Sequence, residues 1–271
     1  MLDMMNQAKN AIEAYNVALK ATSANIANMS VNGYKKIDVS FQSIFEKVLN
    51  RGTAAAASHG GTNPIQQGQG MSVSSVLINF STGEYSSGQG LDAAIQGQGL
   101  FVLSPDGGTT NLYTRAGDFS VDSSGNLLSN NMQVYGLNNS NSLVAIQGLP
   151  SGNKADYKWL SDGTLQYTAD GGTTYVNTGY KIALSYFPNP NGLAQAQGTT
   201  FAETPASGSP ADPAAPGGAA GILRPGQVEQ SNVVYLSETI NAIELQRAMS
   251  GNLTMIRMAS DLISNFISKL S

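Results

Sequence analysis

The amino-acid sequence predicts an α+β protein: long N- and C-terminal helices form a coiled-coil layer, and the central body is rich in antiparallel β-structure. Residues 1–29 contain neither glycine nor proline, and residues 228–270 contain no proline and one glycine, Gly251. Between these ends, residues 33–227 hold short apolar runs separated by glycine-containing turns. Such spacing is typical of the short strands of a sandwich or barrel.

The N-terminal helix is predicted from apolar residues that recur at helical spacing. One row, with a repeat of seven residues, consists of Met5, Ile12, Leu19 and Ile26. A second row consists of Met1, Ala8, Tyr15, Thr22 and Met29. Two such rows form the stripe of a helix that packs along another helix. The helix should end near residues 28–32, because Gly33 tolerates a left-handed backbone.

The C-terminal helix is predicted over about 40 residues, or about 60 Å at 1.5 Å per residue. Its heptad row consists of Ala242, Met249, Ile256, Ile263 and Leu270, and the companion row consists of Gln246, Leu253, Ser260 and Ile267. Upstream, Leu236, Ile240 and Ile243 lie one position off this register, which indicates a straight or locally adjusted helix. The methionines concentrated in both ends suit either an ordinary helix core or contacts with several neighbours.

Apolar runs predict strands in the central part of the chain, at 73–80, 100–103, 119–121 and 182–187. Residues 52–63 are rich in alanine, glycine, serine and threonine, which predicts a flexible or extended connector. Residues 202–221 hold four of the 10 prolines and are predicted to form a long surface loop.

These patterns divide the chain into three predicted domains. A terminal-helix domain combines residues 1–32 and 228–271. A linker and β-rich connecting domain covers residues 33–90 and includes an extended link at 46–66. An outer β domain covers residues 91–227 and includes the proline-rich loop.

The composition argues against several kinds of chemistry. The chain has no cysteine, which excludes disulfides and thiolate metal sites. The presence of a single histidine, His59, argues against a His-based metal site and against a Ser–His triad. The net charge of −4 argues against nucleic-acid binding, which needs a basic surface.

Short motifs give no sign of an active site. The Gly-Gln-Gly triplets at 68–70, 88–90 and 97–99 lack the continuation of a dinucleotide fingerprint, so turns and bulges explain them. Residues 118–126 resemble a calcium loop but lack an acidic residue at the twelfth position, which favours a hairpin tip. We therefore predict that the protein is not an enzyme, and we assign no catalytic, cofactor-binding or metal-binding residue.

Signals for membranes and secretion are also missing from the sequence. No apolar run approaches the ~20 residues that a membrane helix needs, so no membrane insertion is expected. The first residues lack the basic segment and continuous apolar segment of a secretory signal. We expect no cleavable signal peptide, which leaves open an export route that does not use one.

Four motifs occur in order along almost the whole chain. Residues 24–36 read Ala-Asn-Ile-Ala-Asn-Met-Ser-Val-Asn-Gly-Tyr-Lys-Lys, residues 91–101 read Leu-Asp-Ala-Ala-Ile-Gln-Gly-Gln-Gly-Leu-Phe, and residues 113–119 read Tyr-Thr-Arg-Ala-Gly-Asp-Phe. The last motif comprises Val-Glu-Gln-Ser-Asn-Val at 228–233 and Ile-Glu-Leu-Gln-Arg-Ala at 243–248. These segments resemble the signatures of the bacterial flagellar rod and hook protein family, with tyrosine replacing phenylalanine in the first. The positions of this chain that match the family signatures are Asn25, Asn28, Gly33, Tyr34, Ser231, Asn232, Val233 and Arg247.

The resemblance implies a tubular axial polymer, with the terminal helices paired in an inner coiled-coil layer and the β body as the outer wall. The extended link at 46–66 resembles that of the distal rod subunit, where it helps to stiffen the tube. We therefore predict a structural subunit of the distal rod that transmits torque to the hook and filament. The alternatives are a hook or proximal rod protein of the same family, a secreted β-rich adhesive module with a helical stalk, and an enzyme with a cryptic carboxylate site.

The resemblance also implies partners and a location. The partners are further copies in a helical homopolymer, other rod and hook subunits, and ring proteins around the rod, without nucleic acid or cofactor. The location is the flagellar basal body, spanning the periplasm. Both ends of the chain should be largely unfolded or loosely helical until they polymerise. The predicted polymerisation interface consists of Met5, Ile12, Leu19, Ile26, Leu236, Ile240, Met249, Leu253, Ile256, Ile263, Ile267 and Leu270.

Overall fold

The computed structural model describes residues 2–44, 47–52, 54, 60–63, 65–68 and 70–270. His59 and Met1 therefore lie outside the described residues. The chain divides into two compact units. Unit 1 comprises Met1–Ile26, Ile37–Leu77 and Tyr235–Ser271, and unit 2 comprises Ala27–Lys36 and Ile78–Val234.

Unit 1 contains the two α-helices of the described chain and four strands. The helices are α1 at Leu2–Ala27 and α2 at Tyr235–Leu270. The strands are β1 at Ile37–Ser43, β2 at Lys47–Asn50, β3 at Ile65–Gln67 and β4 at Met71–Ile78. β1 pairs with β4, and β2 pairs antiparallel with β3. The extended link predicted at 46–66 thus has paired strands near both of its ends.

The predicted coiled-coil layer is wrong. The described residues form one helix at each end of a mostly β fold, whose largest sheet has 12 strands. Strands also cover α1, since the ring of Tyr15 lies edge-on to that of Phe41 in β1, with 5.9 Å between the centroids. Gln7 Nε2 donates a hydrogen bond of 2.9 Å to the carbonyl oxygen of Gly68. A heptad row shows that one side of a helix is apolar, but it does not specify whether a helix or a sheet covers that side.

Small residues form the buried side of α1. Its buried alanines are Ala8, Ala11, Ala14, Ala18 and Ala21. The larger residues of the predicted row, Met5, Ile12, Leu19 and Ile26, are half-buried. An alanine side brings the helix backbone close to its neighbours and leaves the longer side chains at the margin of the contact.

Helix α2 has 36 residues, and its less exposed side repeats at spacings of three and four. That side consists of Ala242, Leu245, Met249, Asn252, Ile256, Ala259 and Ile263. The predicted heptad row is therefore on the less exposed side up to Ile263, whereas the predicted companion row is exposed. The rest of α2 presents apolar residues to solvent.

Unit 2 contains sixteen short strands. They are β5 Tyr85–Ser87, β6 Ala93–Gln96, β7 Leu100–Ser104, β8 Leu112–Thr114, β9 Ser120–Val121, β10 Leu127–Ser129, β11 Met132–Leu137, β12 Leu143–Ala145, β13 Tyr157–Trp159, β14 Thr164–Tyr167, β15 Val176–Ile182, β16 Leu184–Ser185, β17 Ala194–Gln195, β18 Thr200–Ala202, β19 Ile222–Pro225 and β20 Gln227–Glu229. Short 3₁₀ helices occur at Lys154–Asp156, Pro190–Gly192 and Gly218–Ala220. Asn130 and Asn131 both have positive φ between β10 and β11, which suits a tight hairpin turn.

Most strands of unit 2 form one 12-stranded antiparallel sheet. Its main path runs β13-β14-β15-β11-β7-β8-β18-β17, with β9, β10, β12 and β16 paired beside it. The remaining pairs join β5 to β20 and β6 to β19, both antiparallel. The last strands of unit 2 thus return to its first strands.

Aromatic residues fill the core of unit 2. Trp159, Phe101 and Phe119 are fully buried, and Phe119 lies edge-on to both of the other rings at centroid distances of 6.0 and 5.0 Å. Trp159 Nε1 donates a hydrogen bond of 2.6 Å to the carbonyl oxygen of Leu91. The core therefore satisfies the one polar atom that the tryptophan carries inside it.

The predicted loop at 202–221 is in part bound to the sheet. Ala214 and Leu184 of β16 exchange backbone hydrogen bonds of 2.9 and 3.0 Å, and Ala211 N donates to the carbonyl oxygen of Tyr186 at 2.8 Å. Ser207 is fully buried. Frequent prolines prevent a regular strand here, although parts of the backbone still find partners.

Candidate functional site

Three of the sequence motifs meet in an ionic cluster buried in unit 2, formed by Lys35, Arg115 and Glu229. Lys35 Nζ lies 2.6 Å from Glu229 Oε1, and Arg115 Nη1 lies 3.3 Å from Glu229 Oε2. Glu229 ends β20, and Arg115 directly follows β8. None of the three residues is more than 2% exposed. The ionic cluster therefore joins chain segments that are far apart in sequence.

Backbone carbonyl groups complete the hydrogen bonding of the two cations. Lys35 Nζ also donates to the carbonyl oxygen of Ser81 at 2.8 Å. Arg115 donates to the carbonyl oxygen of Ile95 at 3.2 Å through Nη1, and to that of Gly97 through Nη2. Ile95 and Gly97 belong to the motif at 91–101, so all four motifs reach the ionic cluster.

Glu229 also accepts hydrogen bonds from two backbone N–H groups. Gly83 N donates to its Oε1 at 3.0 Å, and Gly33 N donates to its carbonyl oxygen at 2.8 Å. Gly33 has φ of +70°, and a Cβ at this position would lie 2.3 Å from Ala116 N. The motif glycine is therefore required both by its backbone conformation and by the close approach of another segment.

Burial and ion pairing shift the pKa values of the two cations in opposite directions. Burial lowers the pKa of Lys35 from its ordinary value, and the adjacent Glu229 carboxylate opposes that shift. Burial likewise lowers the pKa of Arg115, again opposed by Glu229. Removing one member of such a buried pair leaves an uncompensated charge and costs about 3–5 kcal/mol.

Asn232 joins three backbone segments next to the ionic cluster. Its Oδ1 accepts a hydrogen bond of 2.8 Å from Lys36 N. Its Nδ2 donates to the carbonyl oxygens of Asn79 at 2.8 Å and Ser81 at 3.0 Å. One amide side chain thus replaces the regular strand pairing where these segments meet.

Asn25 has a comparable position in unit 1. Its Nδ2 donates to the carbonyl oxygen of Ile37 at 2.9 Å, and its Oδ1 accepts from Ile37 N at 2.9 Å. The same Nδ2 lies 3.2 Å from Glu238 Oε2, in the first turn of α2. Asn25 and Glu238 are buried. This contact links the end of α1 to the beginning of both β1 and α2.

The other motif residues are distributed between the interior and the surface. Tyr34 is buried, and Asn28 is half-buried. Ser231 Oγ accepts a hydrogen bond of 3.2 Å from Val233 N. Arg247 is exposed on α2.

The predicted polymerisation residues fall into two groups by exposure. The half-buried group consists of Met5, Ile12, Leu19, Ile26, Met249, Ile256 and Ile263. The exposed group consists of Leu236, Ile240, Leu253, Ile267 and Leu270. We use the term open face of α2 for the exposed group together with Ile243, Leu262 and Phe266, whose positions lie on several sides of the helix.

The acidic turns of unit 2 are explained by local hydrogen bonding. Asp122 Oδ1 accepts from Ser124 N and Asn126 N, both at 2.8 Å, at the tip between β9 and β10. These hydrogen bonds lower the pKa of the Asp122 carboxyl. Within the described ranges, no group of three or more His, Asp or Glu side chains is placed to hold a metal ion. In the same ranges, neither helix has the length and apolarity needed to cross a membrane.

Sequence reasoning quoted the motifs but did not pair Lys35, Arg115 and Glu229. One signal was available, because Arg115 is the first lysine or arginine after Arg51. An isolated charge between apolar runs is a candidate for a buried ion pair. Which acid it pairs with depends on the topology, since Glu229 lies 114 positions further along the chain.

The first comparison identifies the class of the protein. The family described as "Flagellar hook protein FlgE/F/G D1 domain" matches residues 94–148. This segment runs from β6 to β12 and includes Arg115. This segment of unit 2 is therefore similar to a domain of flagellar hook proteins.

Relatives of similar length narrow this class. Flagellar basal-body rod protein FlgG of Caulobacter vibrioides is 31% identical over 269 residues, 97% of each chain. FlgG of Bacillus subtilis is 29% identical over 98% of each chain. The flagellar hook protein FlgE of Helicobacter mustelae is 36% identical over 121 residues, which cover 44% of this chain and 27% of the relative.

The chain belongs to the family of flagellar basal-body rod proteins FlgG. The predicted resemblance is thereby confirmed, as is the predicted function of a distal rod structural subunit. The basal-body location follows from the same names. The match to the hook protein spans less than half of this chain, so rod is favoured over hook.

Proposed function

We propose that copies of this chain assemble into a helical, tubular rod through the open face of α2. The single observation that supports this most strongly is the exposure of large apolar side chains near both ends of that helix. Leu236 is 68%, Ile267 is 61% and Leu270 is 72% exposed. So many large apolar side chains exposed on one helix indicate a protein contact.

The gain from covering the open face is large. Burying one leucine or isoleucine side chain contributes about 1.5–3 kcal/mol. Seven leucines and isoleucines and one phenylalanine lie on one helix, so partial burial of each is enough to hold subunits together. Contacts between different surfaces of identical subunits produce an open helical filament when the rotation between subunits does not close into a ring.

The half-buried group supports a second role in the same assembly. Met5, Ile12 and Ile256 each keep part of their side chain accessible. We propose that residues 1–32 and 228–271 act together in polymerisation, while residues 33–90 connect them to an outer domain at 91–227. We also propose that the two ends order fully only in the polymer, because a long amphipathic helix recovers its ordering entropy through packing.

The names of the relatives support the setting of this assembly. We propose that the chain contacts further copies, other rod subunits and hook subunits, and ring proteins around the rod. The rod would span the periplasm, receive its subunits without a cleavable signal peptide and transmit torque to the hook and filament. A structural family and a core built from motif residues also support a protein without enzymatic activity.

The variant Ile267→Asp tests the open face. We expect this chain to fold but to lose polymer, because a carboxylate would have to be buried at the subunit contact. Sedimentation and negative-stain electron microscopy of the concentrated chain measure the polymer. Val176→Asp is the matched control, since Val176 is 64% exposed in unit 2. Normal polymers from Ile267→Asp would contradict the proposal.

A further inference from the structure

A cleft with a volume of about 450 Å³ lies beside the ionic cluster in unit 2. Its lining includes Ser81, Thr82, Gly97, Gln98, Arg115 and Asn191. Thr82, Gln98 and Asn191 are exposed, whereas Arg115 is buried. Phe80 and Pro190 also line the cleft, so its walls are both polar and apolar, and the buried guanidinium of Arg115 belongs to them.

The charge behind this cleft is unbalanced. Lys35 and Arg115 share the single carboxylate of Glu229, which leaves one positive charge in excess. Arg224 adds a further cation nearby, with its guanidinium 4.7 Å from the centroid of the Tyr85 ring, whose own hydroxyl group hydrogen-bonds to the carbonyl oxygen of Ile95. An excess charge in a low-dielectric interior is costly until an anion approaches it.

Other buried carboxylates of unit 2 do not balance this charge. Asp92 is already paired with Lys154, at 3.2 Å between Oδ1 and Nζ. It also accepts a hydrogen bond of 2.8 Å from Gln89 N through its other oxygen. An additional anion for the ionic cluster would therefore have to enter from outside.

Arg115 also keeps an unused donor. Both of its terminal nitrogens donate to carbonyl or carboxylate oxygens. Its Nε is the one buried side-chain nitrogen or oxygen, in the described part of the chain, that has no hydrogen-bond partner. This Nε is enclosed by the unit, so a carboxylate in the cleft would act on the guanidinium through its charge rather than as a partner of Nε.

We propose that this cleft receives an aspartate or glutamate side chain from a second copy of the chain. The inference rests on the proposed self-assembly and adds a polar contact on the outer unit. Suitable side chains exist, because Asp170 and Asp212 are exposed on unit 2, and neither carboxylate pairs with a described residue. Burial of the carboxylate against Arg115 compensates charges that are unpaired on both partners.

The first experiment tests the cleft in the dilute chain, with acetate as the probe. Thermal unfolding is followed in sodium acetate and in sodium chloride at equal ionic strength and pH 7. We expect acetate to raise Tm in a saturable manner, because a ligand of the folded state stabilises it. Equal Tm values in the two salts would overturn the proposal.

A variant at Gln98 tests whether acetate raises Tm by binding in the cleft. Gln98→Glu provides a carboxylate within the chain, so we expect a higher Tm and no further response to acetate. Gln147→Glu, with the same charge change on an exposed residue that does not line the cleft, is the control, and it should respond to acetate as the native chain does. A full acetate response in Gln98→Glu would overturn the assignment of the probe to this cleft.

The second experiment identifies the occupant. We expect Gln98→Glu to raise the critical concentration for polymerisation about tenfold, equivalent to about 1.4 kcal/mol, while the control Gln147→Glu leaves it unchanged. An unchanged critical concentration for Gln98→Glu would overturn the second copy as the occupant. If the native chain forms no polymer, the proposed function fails, and the acetate result still decides whether the cleft binds a carboxylate.

Discussion

Unit 2 and α2 use apolar residues in opposite ways. In unit 2, Trp159 and Phe101 are fully buried against other residues of the same unit. In α2, Leu236 and Leu270 leave more than two thirds of their surface exposed. Unit 2 therefore obtains its stability from within one chain, whereas α2 retains a surface for neighbours. Folding and assembly are in this way assigned to different parts of one protein.

The largest expected effect is on the stability of unit 2 in Glu229→Gln. The substitution leaves Lys35 and Arg115 buried without a counter-charge, so the free energy of unfolding should fall by about 3–5 kcal/mol. Urea unfolding followed by the fluorescence of Trp159, the single tryptophan, reports on this unit. Glu84→Gln, on an exposed residue, is the control, and a loss below about 1 kcal/mol in Glu229→Gln would refute the role of the ionic cluster.

A smaller effect is expected for Asn232→Ala. This change removes the partner of Lys36 N and of two carbonyl oxygens, and each unsatisfied buried group costs about 1–3 kcal/mol. Since Asn232 is half-buried, partial access to water keeps the total loss of unfolding free energy near the lower end of this range. The same urea assay measures the change, with the exposed Asn139→Ala as reference. Equal stability of the two variants would show that the amide does not hold these segments.

The smallest effect on unfolding is expected for Ile267→Asp. Since Ile267 is exposed and lies outside unit 2, the Trp159 transition should shift by less than about 0.5 kcal/mol. The same variant should abolish the polymer. A loss of unfolding free energy as large as that of Glu229→Gln would show that unit 2 depends on the open face of α2 for its stability.

Several elements of the fold could be predicted from local patterns. The run at 100–103 corresponds to β7 at Leu100–Ser104, because a short continuous apolar segment bounded by glycine-containing turns suits a buried strand. Both terminal helices were also predicted, since long segments with no proline and at most one glycine have few alternatives. Such features depend on neighbours close in sequence.

Other features depend on contacts that no local pattern specifies. The heptad rows were assigned to a coiled-coil layer, yet alanines such as Ala14 are buried and Tyr15 packs on a strand residue. The motif containing Glu229 was identified without its partner Lys35, which lies 194 positions away. The open cleft beside Arg115 requires three separate segments to converge and has no signature in any one of them.

The pairing of Lys35 with Glu229 has a consequence for the time at which the protein can fold. A chain is synthesised from its N-terminus, so Lys35 and Arg115 exist well before their carboxylate. β5 and β6 likewise wait for β20 and β19, their partners near the other end of the unit. Unit 2 therefore cannot close until about five sixths of the chain has been made, counting to position 229 of 271. The order of residues along the chain therefore keeps unit 2 unfolded while the polypeptide is still being synthesised or is threaded end first through a narrow channel.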